Sequence, residues 1–252
     1  MIKVLICGIS GRMGEMIRGV IDSDGETETV CGVDVRDCNV GVPVYSSFSD
    51  VKESVDVIID FSSPTVLHDE LEWAAANKVP VVLAATGYSA EDLAYIDSCS
   101  RKLAVFRTAN FSVGINLLVK LVREAAGTLG ENFDIEIVEK HHRLKADAPS
   151  GTALMLAESA NSAFESKKPL MDGRSGIVGK RGNEIGIHAV RGGTIVGEHE
   201  VMFAGEDEII TLSHSARSKK VFAAGAVKAA KWLCGKPNGK YNMDDVLNNP
   251  NS

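Results

Sequence analysis

Near its start the chain reads KVLICGISGRMG (residues 3–14), a strand followed by a glycine turn. Residues 3–7 are apolar and rich in β-formers, which is typical of a buried parallel strand. The three glycines that follow predict a tight turn, and residues 15–21 have helical spacing. A second strand is predicted over residues 29–33, and it ends at Asp34. This order of strand, turn, helix, strand and acid indicates a dinucleotide-binding unit.

The physical reason is that glycines let the backbone approach a pyrophosphate, whose charge then rests on a helix N-terminus. Asp34 stands where a carboxylate accepts hydrogen bonds from the ribose hydroxyls of the adenosine. An acid here disfavours the extra phosphate of NADPH, but Arg12 and Arg36 are placed to offset that repulsion. Both NADH and NADPH therefore stay open. The alternative is a glycine-rich turn in an α/β protein that binds nothing.

The alternation of strands and helices continues through the first half of the chain, which predicts a doubly wound, parallel Rossmann-type sheet. Ligands of such sheets sit at the carboxyl ends of the strands, where we expect Thr86 and residues 108–111 to meet the cofactor. The strands are predicted at residues 55–61, 79–84 and 103–106, and the helices at 65–77 and 90–101.

Beyond Asn110 the pattern changes to that of a second, α+β domain with an open mixed sheet. A glycine-rich, charged stretch at 173–186 predicts a mobile loop. A sheet with one uncovered face needs a partner, so we expect self-association. Helices are predicted at 113–129 and 219–234, and strands at 133–139, 188–191, 197–203 and 208–213.

The second half also contains the segment HHRLKADAPSGT, residues 141–152. Four of its side chains can carry positive charge, and Ser150 is a suitable N-cap for a helix that follows. Amides at a helix N-terminus bind carboxylate or phosphate, so the segment predicts a site for a small molecule with more than one negative charge. The alternative is a solvated basic loop. His68, His188 and His214 are predicted to be structural, and His199 to give secondary support.

Composition limits the partners. The chain has 252 residues and a net charge of −7, so nucleic acid is excluded as a main partner and the basic segment indicates a local anion site. Five dispersed cysteines argue against a disulfide framework or a zinc site and favour the cytoplasm. We expect no metal site, no signal peptide and no membrane-spanning segment.

Taken together, the two motifs resemble those of the 4-hydroxy-tetrahydrodipicolinate reductase family of bacterial lysine and diaminopimelate synthesis, also called dihydrodipicolinate reductases. The likeness extends over nearly the whole chain, and the segment around His141 is its most specific part. It is carried by residues 8–14, 60–62, 110–116, 139–153, 197–199 and 241–247.

The resemblance implies hydride transfer from NADH and/or NADPH to a cyclic dicarboxylate, with His141 as acid/base and Lys145 as proton donor. Crowding by neighbouring cations should make the Lys145 proton easier to give up. The implied substrate-binding residues are His142, Ser150, Gly151 and Thr152. The implied cofactor-binding residues are Gly8, Ile9, Ser10, Gly11, Arg12, Met13, Asp34, Ala84, Ala85, Thr86, Thr108, Ala109, Asn110 and Phe111.

The resemblance also implies two domains with different functions. Residues 1–112, completed by 218–252, would bind the dinucleotide, and residues 113–217 would bind the substrate and join four subunits into a homotetramer. Two other functions stay open: another NAD(P) oxidoreductase that acts on a small dicarboxylate, and a dinucleotide-sensing protein without turnover.

Overall fold

The computed structural model describes residues 1–36 and 38–249 and divides the chain into two compact units. The first unit comprises Met1–Ser112 together with the segment that begins at Lys220, and the second comprises Val113–Lys219. What each unit binds stays a prediction at this point. Residues 250–252, with which the predicted first domain ends, lie outside the described residues.

The first unit contains a parallel sheet of seven strands in the order β12-β6-β5-β4-β1-β2-β3. Strand β1 lies between β2 and β4, so the strand order reverses there, as it does at the ligand-binding crevice of doubly wound sheets. The strands are β1 (Ile2–Cys7), β2 (Thr27–Val33), β3 (Val44–Tyr45), β4 (Val57–Asp60), β5 (Val81–Leu83), β6 (Ala104–Arg107) and β12 (Gly239–Tyr241).

Apolar runs explain why these residues form a central sheet. In β1 and β4, residues 4–6 and 57–59 are completely buried, because helices cover both faces of a doubly wound sheet. The last long helix, α6, packs against α1 and against strands β4, β5 and β6. The helices of this unit are α1 (Arg12–Asp24), α2 (Leu67–Asn77), α3 (Ala90–Cys99), α6 (Lys220–Leu233) and α7 (Met243–Asn248).

The second unit contains a mixed sheet of five strands in the order β11-β10-β7-β9-β8. Strand β10 is antiparallel to both of its neighbours, whereas β9 is parallel to β7 and β8. Two helices, α4 (Val113–Leu129) and α5 (Gly151–Asn161), pack together and against this sheet. The strands are β7 (Asp134–His141), β8 (Leu170–Asp172), β9 (Ile185–Arg191), β10 (Gly197–Ala204) and β11 (Ile209–Ala216).

Buried and less buried side chains alternate strictly along β7 and β10, the two central strands that carry most of this core. Ile135 and Ile137 on β7, with Val201 and Phe203 on β10, are buried with α4 and α5 in one apolar cluster. The intervening residues point to the other face, which no described helix of this unit covers. Val190, at 44% exposure, is one of its apolar residues. The predicted fold class, a Rossmann-type sheet with a second, open mixed sheet, is therefore confirmed.

Three short strands escaped the sequence pattern: β3, β8 and β12 have only two or three residues each. The predicted mobile loop at 173–186 also needs correction, because Ile185 and Gly186 already belong to β9. The rest of the loop is tied to the sheet by arginines. Arg174 donates to both carboxylate oxygens of Glu136 at 2.8 and 2.9 Å, and Arg181 donates to one of them at 3.0 Å.

The nucleotide turn depends on two glycines. Gly8 has φ +79°, which L side chains rarely adopt, and it opens the turn between β1 and α1. Gly14 lies in the first turns of α1, where an added Cβ would come within 2.5 Å of the carbonyl oxygens of Gly8 and Ile9. Both contacts are with backbone, so neither can be relieved by rotating a side chain.

We therefore expect Gly14→Ala to lower the free energy of unfolding by about 1–3 kcal/mol, the range of overpacked positions. Gly19→Ala on the same helix is the matched control, because an added Cβ at Gly19 meets no atom within 4 Å. Alanine there should raise stability by about 0.5–1 kcal/mol through its higher helix propensity. Urea unfolding of both variants measures the difference, and equal effects would contradict the steric explanation.

Candidate active site

The first predicted site surrounds the carboxyl ends of β1, β2 and β4. Helix α1 begins after Gly11. The first amides of a helix have no acceptor within the helix, and here no side chain caps them either. A cavity of about 290 Å³ opens beside this turn. Among its lining residues are Gly8, Ser10, Gly11, Asp34, Arg36 and Ser62. An uncapped helix N-terminus next to a cavity of this kind fits a pyrophosphate.

Asp34 lies at the end of β2 and faces this cavity. Its Oδ2 accepts hydrogen bonds from the Ser10 amide at 2.9 Å and the Ser10 hydroxyl at 2.7 Å, and its Oδ1 accepts one from the Arg36 amide at 3.1 Å. Partial burial raises the pKa of Asp34, but these donors outweigh it and hold the pKa below its usual value. Asp34 is therefore ionised at neutral pH and suited to accept from ribose hydroxyls.

The other predicted cofactor residues follow the neighbouring strands. Residues 84–86 come directly after β5, and residues 108–111 come after β6, so both groups lie at the carboxyl edge of the same sheet. Two of the predicted residues have side chains that are closed to a cofactor. The side chains of Ile9 and Phe111 are buried, and Phe111 packs on Phe61. These two residues can reach a cofactor only through their backbone.

The sequence interpretation missed part of this site. Ser62 and Ser63 line the cavity, yet Ser62 entered only as part of a family segment. Ser62 is held by Asp60, which accepts its amide at 2.7 Å and its hydroxyl at 2.5 Å. A usable signal was present, because β4 lies next to β1 in this order of strands and its carboxyl end must lie at the same crevice.

In the second unit, Ser150 is the N-cap of α5, as predicted. Its hydroxyl accepts a hydrogen bond from the Ala153 amide at 3.2 Å. Gly151 and Thr152 occupy the first helical positions, at the positive end of the α5 dipole. Gly151 is exposed, and an added Cβ would meet nothing within 4 Å. The positive end of α5 is therefore accessible to an anion.

Glu139 organises the residues around this helix end. Its side chain is completely buried, and its Oε2 lies 2.6 Å from Nδ1 of His141. Its Oε1 accepts from the Ser150 amide at 3.0 Å, and Arg191 donates to both oxygens at 2.7 Å. Burial raises the pKa of Glu139, but donation by Arg191, His141 and Ser150 outweighs it, so the pKa lies below its usual value.

His199 belongs to the same group, and its predicted role as secondary support understated it. It is buried, its Nε2 lies 3.1 Å from the Ser150 hydroxyl, and its ring packs edge-on against His141 at 5.2 Å. Burial, together with the charge of His141, lowers the pKa of His199 to about 4. The imidazole is therefore neutral at physiological pH and contributes a hydrogen bond rather than a charge.

The basic segment is less positive than its sequence indicates. Lys145 Nζ lies 2.9 Å from Asp147 Oδ1, and Glu139 faces His141. The hydrogen bond from Lys145 holds the pKa of Asp147 below its usual value. Lys145 therefore has a carboxylate beside it, in addition to the neighbouring cations from which its easier loss of a proton was predicted. Its role as proton donor stays a prediction that depends on the family resemblance.

The remaining predicted residues lie nearby. His142 follows β7 directly and is half-buried, and its Nδ1 has no hydrogen-bond partner among the described residues. The loop after it is held by backbone bonds: the amide of Arg143 donates to the Gly193 carbonyl at 3.2 Å, and that of Gly192 donates to the His141 carbonyl at 2.9 Å. The structure thus brings His141, His142, Ser150, Gly151 and Thr152 to one end of the second sheet.

Two of the three histidines predicted to be structural, His68 and His188, lie outside this group of catalytic candidates. His68 is exposed and stacks on Tyr95 at 4.1 Å, and His188 lies 2.8 Å from Glu136. His214 faces His199 across β11 and β10, so it belongs to the same end of the sheet. Within residues 1–36 and 38–249, no group of three or more potential ligands could hold a metal ion, and no helix is long and apolar enough to span a membrane.

Comparison with known proteins identifies this arrangement. The family model "Dihydrodipicolinate reductase, N-terminus" matches residues 2–111, and "Dihydrodipicolinate reductase, C-terminus" matches residues 114–247. The 4-hydroxy-tetrahydrodipicolinate reductase of Caldanaerobacter subterraneus subsp. tengcongensis is 50% identical over 248 residues, or 98% of each chain. The enzyme of that name from Clostridium novyi is 46% identical over 252 residues, all of both chains.

Solved structures agree. A dipicolinate-bound dihydrodipicolinate reductase from Paenisporosarcina sp. TG-14 is similar with a TM-score of 0.83 and 26% identity, over 98% of this chain and all of that one. A probable dehydrogenase from Thermotoga maritima has a TM-score of 0.64 at 14% identity, over 97% of this chain and 92% of that one, which shows the fold alone.

The fold and these likenesses define an oxidoreductase built on a Rossmann-type, nucleotide-binding sheet. The chain belongs to the dihydrodipicolinate reductase family, which confirms the resemblance predicted from its sequence.

The depressed pKa of His199 gives the free energy of unfolding a defined dependence on pH. The folded pKa of about 4 lies below the ordinary value of 6.5, so the unfolded chain binds more protons between these two values. The contribution is complete above pH 6.5 and is lost as the pH falls through 4. The interval corresponds to about 3 kcal/mol.

We expect His199→Gln to remove this dependence. Urea unfolding at intervals from pH 7.5 to 4 should show a smaller loss of stability on acidification in the variant than in the wild type. The variant should still be less stable at pH 7.5, because it loses a packed ring and the bond to Ser150. Identical pH dependence in both proteins would contradict the assignment.

Proposed function

We propose that this protein catalyses the NAD(P)H-dependent reduction of 4-hydroxy-tetrahydrodipicolinate to tetrahydrodipicolinate, a step of lysine and diaminopimelate biosynthesis. The single observation that carries the proposal is the group formed by Glu139, His141 and Ser150 at the N-terminus of α5. It puts an imidazole, a capped helix end and a basic loop at one place. Relatives at 40–50% identity that bear this enzyme's name support the proposal.

The substrate has two carboxylates, and the second unit offers groups that bind them. The two carboxylates are held by Gly151 and Thr152, at the positive end of α5, together with Ser150 and His142. Ser150 is kept in place by Glu139 and His199, so the helix end is preorganised. Holding the ring by its carboxylates orients the reacting carbon. Such positioning of a reactant lowers the activation barrier by several kcal/mol, on the order of 7–11 kcal/mol at most.

The reaction also needs a proton. Loss of water from C4 would leave a conjugated ring, and a reduced nicotinamide, when bound, would supply a hydride to that carbon. Hydride addition builds negative charge along the conjugated system, which a nearby acid must neutralise. We assign proton donation to Lys145 and the acid/base role to His141. Asp147 holds the Lys145 ammonium at 2.9 Å in the loop that follows His141, which supports this assignment.

The first unit fits a dinucleotide. The close approach at Gly14, the left-handed turn at Gly8 and the ionised Asp34 form a cradle for pyrophosphate and ribose. Residues 8–13, Asp34, 84–86 and 108–111 would hold the cofactor. Arg36 lines the same cavity as Asp34, so we propose use of both NADH and NADPH.

We further propose a cytoplasmic homotetramer. The uncovered face of the second sheet, with Val190 at 44% and Ile209 at 63% exposure, is the surface through which four copies would join. Five cysteines without disulfides fit a reducing compartment. Light scattering measures the number of subunits directly, and a monomer at assay concentration would contradict this part of the proposal.

Two alternatives are separated by one assay. The product of dihydrodipicolinate synthase is mixed with NADH or NADPH, and the absorbance of the reduced nicotinamide is followed. Another NAD(P) oxidoreductase would leave this substrate unchanged. A sensing protein would bind the nucleotide without consuming it. The proposed enzyme oxidises the nucleotide, and pyridine-2,6-dicarboxylate competes with its substrate.

In this assay we expect Lys145→Ala to lower kcat at least about 100-fold, the scale of a lost general acid. Binding of NADH, followed by its fluorescence, should be unchanged. Lys167→Ala is the matched control, because Lys167 also pairs with a carboxylate of the same unit, that of Glu158, but is 68% exposed. The control should stay within about twofold of wild type, and full activity of Lys145→Ala would remove Lys145 from the mechanism.

We expect Asp34→Ala to relax discrimination against NADPH. The variant loses the carboxylate that repels a 2′-phosphate but keeps Arg36, so the ratio of KM for NADPH to KM for NADH should fall several-fold. Steady-state kinetics with each nucleotide measures the ratio. An unchanged ratio would mean that other residues set the preference.

A further inference from the structure

We propose that Glu139 is a positioning residue that fixes His141 in the tautomer with its proton on Nδ1, so that Nε2 is the atom offered to the substrate. We further propose that Arg191 keeps Glu139 ionised for this purpose. The catalytic consequence rests on the proposed function, in which His141 is the acid/base. The statement about the tautomer does not, and it can be tested without any substrate.

The contacts of Glu139 account for all of its acceptor capacity. Arg191 donates one hydrogen bond of 2.7 Å to each carboxylate oxygen. The second donor to Oε1 is the Ser150 amide at 3.0 Å, and the second group at Oε2 is Nδ1 of His141 at 2.6 Å. Each oxygen thus has two partners, and the side chain is completely buried.

The protonation of His141 follows from these contacts. A carboxylate that is ionised can only accept hydrogen bonds, so the nitrogen at 2.6 Å from it must carry a proton. In the neutral imidazole the other nitrogen, Nε2, then carries the lone pair. Arg191 makes this assignment firm, because a guanidinium bound through both of its terminal nitrogens favours the ionised carboxylate.

The surroundings of Nε2 are consistent with this role. An added Cβ at Gly197, the first residue of β10, would lie 3.1 Å from Nε2 and 3.4 Å from Cδ2 of His141. The glycine thus leaves the ring room to keep this orientation. The edge of the ring is supported by His199, whose centroid lies 5.2 Å from that of His141.

The charged and titratable groups around His141 come from four elements. Glu139 belongs to β7, Arg191 to β9 and His199 to β10, while Lys145 and Asp147 belong to the loop before α5. Arg191 also donates to the Asp147 carbonyl at 2.6 Å, so one guanidinium holds both the carboxylate and the loop. The arrangement therefore couples the orientation of the imidazole to the position of the helix end.

A purely structural ion pair is the competing explanation, and the same strand contains one for comparison. Glu136, three residues earlier and on the opposite face of β7, binds Arg174, Arg181 and His188. It has the same combination of carboxylate, arginine and imidazole, but it lies away from the helix end. Glu136→Gln therefore controls for the loss of a partly buried carboxylate.

The first measurement uses the wild-type protein without ligand. Nitrogen-15 NMR of the histidine rings distinguishes a protonated from an unprotonated ring nitrogen, and the His141 signals are assigned by their disappearance in His141→Gln. Above the pH at which the ring becomes neutral, we expect Nδ1 to be protonated and Nε2 to be unprotonated. An Nε2–H tautomer would overturn the proposal, and no other variant has to fold for this test.

The second measurement uses Glu139→Gln, which offers one acceptor oxygen in place of two and a donor in place of the other. We expect a substantial population of the Nε2–H tautomer and a fall in kcat of about 10²–10⁴-fold, as for other imidazoles held in the wrong tautomer. Dissociation constants for NADH and pyridine-2,6-dicarboxylate should change by less than about tenfold, because the helix end and the nucleotide turn are retained.

The control separates the possible outcomes. Glu136→Gln should keep kcat within about threefold of wild type and leave the His141 signals unchanged, with light scattering confirming an unaltered assembly on the open face. If Glu139→Gln keeps the Nδ1–H tautomer, or matches the control in kcat, Glu139 is only structural and the proposal fails. If the wild type shows the predicted tautomer but never reduces the substrate, the proposed function fails and the positioning role of Glu139 is limited to the tautomer.

Discussion

The buried charge of Glu139 is the constraint on which the second unit depends. A carboxylate without access to water needs hydrogen-bond donors from the protein, because leaving a buried charge unpaired costs roughly 3–5 kcal/mol. That cost is a large fraction of the net free energy of folding of a typical domain, about 5–15 kcal/mol. Glu139 finds them on β9, at the end of β7 and at the start of α5. The group that makes this charge tolerable is also the group that arranges the candidate active site.

The first unit solves a different problem. The central strands β1 and β4 are apolar and buried over residues 4–6 and 57–59, so the candidate cofactor-binding residues lie where the strands end. This explains why a dehydrogenase only 14% identical has the same fold. The sheet requires a hydrophobic pattern and a few glycines such as Gly14, whereas the chemistry is set by Asp34 and its neighbours at the edge.

The sequence predicted these two parts to different depths. The strand, turn, helix and acid around Asp34 were readable because each depends on local rules of periodicity and backbone sterics. Strands β3, β8 and β12 were not, because two or three residues cannot display a period. The pairing of Lys145 with Asp147 was overlooked although both lie in segment 141–152, since counting like charges ignores which carboxylate a loop brings close.

Glu139 could have been predicted from the sequence: it precedes His141 by two residues on a strand, so both must share a face. Arg191 could not have been predicted, because it lies 52 residues after Glu139, on another strand.

The ion-pair group around Glu136 limits which amino-acid substitutions this protein can accept during evolution. Arg174, Arg181 and His188 all bind the carboxylate of Glu136, whose pKa of about 2 keeps it charged throughout the physiological range. Arg174 also pairs with Glu184, and Arg181 with Asp134. Replacing Glu136 alone leaves two neighbouring guanidinium groups without the carboxylate that they share. Replacing one arginine alone weakens the attachment of a glycine-rich loop whose apolar residues Ile177 and Val178 are exposed. The four positions are therefore expected to be inherited as a block, with neutral variation concentrated in the residues between them.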